Sequence, residues 1–69
     1  MPLTLMDPGV ETEIRMIRGK DQTRQFLHNL GFVEGAKVAV VSSLAGNLIV
    51  SVKDTRVALS QQMASRIMV

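Results

Sequence analysis

The chain has 69 residues, of which 46% are hydrophobic and 20% charged, and it contains no cysteine, tryptophan or tyrosine. That balance is too apolar for an intrinsically disordered chain, and the length leaves room for one core and little else. Without cysteine there are no disulfides, iron–sulfur clusters or thiolate zinc sites. A net charge of +2, with two phenylalanines as the only aromatics, gives neither the charge density nor the stacking platform of a nucleic-acid surface.

A single domain over residues 1–69 is therefore expected. Its N-terminus, Met1-Pro2-Leu3-Thr4-Leu5-Met6-Asp7-Pro8, lacks the basic and apolar regions of a secretory signal. No apolar run approaches the ~18 residues that would cross a bilayer. The expectation is a cytoplasmic protein that does not insert into the membrane.

Pro8-Gly9 signals a turn. After it, Val10, Thr12, Ile14 and Met16 alternate with Glu11, Glu13 and Arg15, the period of a half-buried strand, and Arg18-Gly19-Lys20 ends it. Asp21 is placed to cap a helix from Gln22 to Leu30, with Thr23, Phe26, Leu27 and Leu30 on one face. Gly31 and the apolar Phe32 then form a Schellman-type ending. Val33-Glu34-Gly35 is a tight turn, and Gly35 can supply the positive φ it needs. Strands are predicted over 37–43 and 47–53, joined as a hairpin by Leu44-Ala45-Gly46. Asp54-Thr55 turns the chain into a strand ending at Leu59. One helical turn capped by Ser60 runs to Ala64, and a short last strand runs from Arg66 to Val69. The expected core is Val10, Ile14, Met16, Phe26, Leu27, Leu30, Val38, Val40, Val50, Val52, Leu59 and Ile67. So many short strands in so short a chain predict a mainly β fold, a small barrel that hides its edges, with the helix covering one end.

Catalytic patterns are missing. His28 is the sole histidine, with no His or Cys companion to complete a metal site and no serine or threonine at a triad-like spacing. No phosphate-binding glycine loop is present. The expectation is a non-enzyme without metal or cofactor. Glu11 and Glu13 share a strand face and read as a solvated face paired with nearby cations. Arg18, Lys20 and Arg24 cluster at the strand-to-helix junction, as a solvated face or as a patch for an anionic partner.

Two surfaces suit a protein partner. The first is the helix face with Arg24, Gln25 and His28, continued by an apolar tip at Phe32 and Val33. Its mixture of one cation, amides and apolar groups fits a protein better than a phosphate backbone. The second is the outer barrel wall at Val41 and Ile49, an apolar patch that would serve a homo-oligomer equally well unless the N-terminal segment covers it.

The run from Leu27 to Val38, Leu-His-Asn-Leu-Gly-Phe-Val-Glu-Gly-Ala-Lys-Val, resembles the Leu-x-x-Leu-Gly-hydrophobic-x-x-Gly-x-x-Val segment of the FeoA family. Arg56-Val57-Ala58-Leu59 and the stretch from Ala64 to Val69 are similar to that family's closing segment. The resemblance implies a small cytosolic SH3-like β-barrel with a short helical insertion after the first strand. It implies an accessory or regulatory role beside FeoB, a membrane ferrous-iron transporter with a cytosolic GTPase region. The alternative it carries is a stand-alone regulatory domain like the C-terminal barrel of DtxR-type iron-responsive repressors. The chain departs from the family pattern at Glu34, where proline is common, and at Ser60, where arginine is common.

Overall fold

The structure, a computed structural model, describes residues 1–19 and 21–69. A 3-10 turn at Leu3–Leu5 precedes β1 (Glu11–Glu13), β2 (Met16–Ile17) and helix α1 (Gln22–Asn29). There follow β3 (Lys37–Leu44), β4 (Asn47–Val52), β5 (Thr55–Ser60), the single-turn helix α2 (Gln61–Ala64) and β6 (Ile67–Met68). Antiparallel pairing gives one sheet in the order β1-β3-β4-β5 and a second made of β2 and β6.

The strand predicted over 10–16 is divided between these sheets. Ile14 donates its N–H to the Ala36 carbonyl (2.9 Å) and accepts from the Gly35 N–H (2.8 Å), while Arg15 donates to the Met68 carbonyl (2.8 Å). The change of partner bends the chain, so Ile14 (1% exposed) and Ile17 (3%) both point inward and Met16 is turned out at 51% exposed. Strict alternation would have placed Met16 inside with Ile14. Val10 lies in the turn before β1, hydrogen-bonded to the Asp7 carbonyl, and is likewise exposed. Phe26 is also at the surface (47%), because α1 commits only Leu27 fully to the core, with Leu30 partly buried beside it.

The places expected for those side chains are filled by others. Leu3, Phe32, Leu48 and Ala64 are buried together with Ile17 and the expected Ile14, Leu27, Val38, Val40, Val50, Val52, Leu59 and Ile67. In β4, alternation holds without interruption: Leu48, Val50 and Val52 are inside and Ile49 and Ser51 are half-buried on the other face. A bulge between Val40 and Ser42 adds one residue to β3 and turns Val41 outward.

Both hairpins close through two residues with positive φ, Ala45 (52°) and Gly46 (82°) between β3 and β4, and Lys53 (48°) and Asp54 (63°) between β4 and β5. That pair of left-handed residues matches the twist of the flanking strands. The N-terminal segment docks against α2 through the 3-10 turn. Pro2 bridges to Met68, the Val69 N–H donates to the Met1 carbonyl (2.8 Å), and the Met1 ammonium donates to the Val69 carbonyl (3.1 Å). Among the described residues, no helix is long and apolar enough to cross a membrane.

Candidate partner-binding surface

Helix α1 begins where Asp21, in extended backbone, accepts the Thr23 N–H on its Oδ1 (3.2 Å). It ends in the Schellman arrangement: the Gly31 N–H donates to the His28 carbonyl (3.0 Å) and the Phe32 N–H to the Leu27 carbonyl (3.0 Å), with Gly31 at φ 107°. Only glycine takes that backbone without a Cβ penalty. The chain reverses there, and the reversal brings Glu34 back against the helix. Glu34 Oε2 lies 3.4 Å from Arg24 Nη2, and Glu34 Oε1 lies 3.9 Å from His28 Nε2. One carboxylate thus faces two residues one helical turn apart. Gln25 Nε2 donates to Asn29 Oδ1 (3.0 Å) on the same exposed side.

Arg24, Gln25 and His28 therefore share an accessible face, as their spacing predicts. Phe32 does not join them. It is fully buried as the apolar residue that closes the helix end, so it offers no tip to a partner, and Val33 beside it is half-buried. Val41 is exposed at the bulge and Ile49 is half-buried on the outer face of β4. Glu34 was legible only as a turn residue, since nothing local in sequence shows that the turn folds back onto α1.

A second element of the site was not foreseen. Arg66, in the turn just before β6, donates from Nη1 to Asp21 Oδ1 at 2.8 Å, joining positions 45 residues apart. The hydrogen bond from Arg66 and its positive charge hold the Asp21 carboxyl below the usual carboxylate range. Gly19 lies under this pair: a Cβ there would be 2.7 Å from Arg66 Nη1, and its φ is +100°. The clamp shapes a cleft of about 580 Å³ between the end of β2 and the start of α1. Met16, Arg18 and Gly19 line one side and Asp21, Arg24 and Gln25 the other. Lys20, grouped with Arg18 and Arg24 in the sequence, lies outside the described residues. Among the described residues, no three His, Asp or Glu side chains converge on a point that would hold a metal ion.

Among the described residues, six short strands in two sheets, with one helix inserted after the second, define the SH3-like class of small β modules. Residues 1–69 match the FeoA domain family, and the chain belongs to it. A crystal structure described as an iron uptake regulatory protein, FeoA, is 33% identical, with a TM-score of 0.89 over 99% of this chain and 92% of that one. FeoA from Stenotrophomonas maltophilia, solved with zinc, is 27% identical, with a TM-score of 0.87 over 99% and 87% of the two chains. It is described as a prokaryotic SH3 domain protein and a candidate ferrous iron transport activating factor. A manganese-dependent transcriptional repressor matches with a TM-score of 0.87 at 20% identity, over 97% of this chain and 39% of its own, a likeness of fold alone. No curated protein sequence matches the chain significantly. Proteins of the FeoA family are non-enzymatic accessory proteins associated with ferrous iron transport.

Proposed function

We propose that this chain is a single cytoplasmic module that binds the cytosolic GTPase region of a FeoB-type ferrous iron transporter through the exposed face of α1. The observation that carries this reading is the organisation of Arg24, Gln25 and His28. Glu34 faces Arg24 and His28 and Asn29 accepts from Gln25, so the three share one accessible side, while the core takes only Leu27 fully from this helix. A half-exposed arginine and amides on a helix that also exposes Phe26 have the composition of an interface. The competing surface is the outer wall at Val41 and Ile49, which would also suit association of two copies of the chain. The likeness to a repressor is of fold and adds no observation in favour of a regulatory domain detached from a DNA-binding partner.

Titration of the transporter's cytosolic region with the intact chain and with Arg24→Glu and Val41→Glu tests this. Loss of binding in Arg24→Glu alone is expected. Loss in Val41→Glu alone moves the site to the barrel wall, and no binding by the unmodified protein removes the transporter as the partner.

Iron regulation then acts through the partner. His28 and Glu34 place two donor atoms 3.9 Å apart, half of the set a four-coordinate metal needs. Calorimetry should find no tight one-to-one Fe(II) or Zn(II) binding in the monomer. Sub-micromolar binding that disappears in His28→Ala would contradict this.

A further inference from the structure

The cleft beside α1 has features that the helix face alone does not explain. Arg18 projects at its mouth, exposed and without an ion-pair partner among the described residues. The Arg24 guanidinium, on the opposite wall, reaches only Glu34 among the described residues, at a stretched 3.4 Å. Met16, on the same wall as Arg18, is an apolar side chain left 51% exposed by the bend in the first strand. Asp21 would repel an incoming anion, but its Oδ1 already accepts from both Arg66 and Thr23. Its charge is answered within the protein, Arg24 shares its own with Glu34 at the longer distance, and Arg18 is left as the unpaired charge among the described residues of the cleft.

We infer that this cleft receives an acidic, extended segment of a protein partner, with carboxylates on Arg18 and Arg24 and an apolar side chain on Met16, beside Arg18. The inference rests on the reading of the chain as a partner-binding module and names the chemistry of what it binds. Guanidinium groups pair with carboxylates through two parallel hydrogen bonds, and the flexible thioether of methionine adapts to an apolar neighbour. A free phosphate or a nucleic acid draws its affinity from charge density. Two arginines on opposite walls with an apolar side chain beside one of them, in a chain of net charge +2, favour the peptide. Gly19 matters because it leaves space for Arg66 to engage Asp21, which keeps the wall in place and the aspartate quiet.

The test is an amide-resolved NMR titration of the full chain with three probes: the peptide Glu-Leu-Glu-Leu-Glu, its lysine counterpart, and inorganic phosphate. The acidic peptide should shift amides between Met16 and Gln25, and Arg18→Glu should weaken it at least about tenfold, the loss of one charged hydrogen-bonded contact. Because Arg18 is exposed, the spectrum of that variant should show an unchanged fold. Val41→Glu should bind like the parent. Absence of shifts in that segment, equal shifts with the lysine peptide or phosphate, or an unchanged affinity in Arg18→Glu would each overturn the inference. A separate titration with the transporter's cytosolic region keeps the two readings apart. Shifts at Val41 and Ile49 instead would retain the transporter and discard the cleft. Peptide binding at the cleft without any response to the transporter would do the reverse.

Discussion

Phe32 and Phe26 are the two aromatic side chains of this protein, and they have opposite fates. Phe32 closes the end of α1 and is wholly buried, whereas Phe26 sits on the helix and is about half exposed. Phe32→Ala should therefore cost about 3–5 kcal/mol, much of what a small domain has, while Phe26→Ala should change chemical denaturation little. The helical spacing of Phe26 with Leu27 and Leu30 suggested the reverse, because periodicity locates a face but not its width. Ala45 offers a gain in the other direction. It holds a left-handed backbone at φ 52° without the freedom of glycine or the local polar side chain of asparagine. Ala45→Asn should raise stability by about 1 kcal/mol, read as a higher denaturation midpoint with an unchanged slope.

Among the elements, those with local punctuation were legible. Asp21, Gly31 and Ser60 each act at the helix end where their residue types belong: Ser60 Oγ accepts the Met63 N–H at 3.3 Å and starts α2. Gly46 closes the β3–β4 hairpin, and the alternation of β4 is that of its sequence. The bend at Ile14–Arg15 was not legible, since the alternating pattern runs through it unbroken and only the change of partner from Ala36 to Met68 reveals it. The ion pairs around α1 were hidden for a related reason. Glu34 meets Arg24 across a chain reversal and Arg66 meets Asp21 across 45 positions, so neither pair has a periodic signature. The Asp21–Arg66 pair has a consequence for acid stability. With its carboxyl held below the ordinary value of 3.8, the folded protein binds that proton less readily than the unfolded chain. The pair thus stabilises the fold above that value, and its contribution fades as pH falls through and below it. Thermal melts across this acid range should show Asp21→Asn losing less stability on acidification than the parent. Equal losses would mean that the pair is too exposed to matter.

The whole molecule depends on segments far apart in the sequence. Leu3 lies near the start of the chain, Ile67 near its end, and both are completely buried in one core. Leu3→Ala should cost about 2–5 kcal/mol, as much as a residue in the middle of a strand, and hydrogen exchange should slow at Val69 as well as in the central sheet. A Val69 amide exchanging as fast as a free peptide would show that the pairing of the ends does not persist. That pairing also fixes how the protein responds to force. The carbonyl of Met1 accepts from Val69, and Pro2 lies opposite Met68 in an antiparallel bridge. A pull applied at residues 1 and 69 therefore loads these contacts one after another, like a zipper opened from its end, rather than loading them all in shear. The strand β6 would peel from Pro2 first and from β2 next, exposing Ile67 and opening the core at a low load. The same module held by loops on opposite sides, such as the β3–β4 hairpin and the end of α1, would place the central sheet under tension instead and should resist far longer.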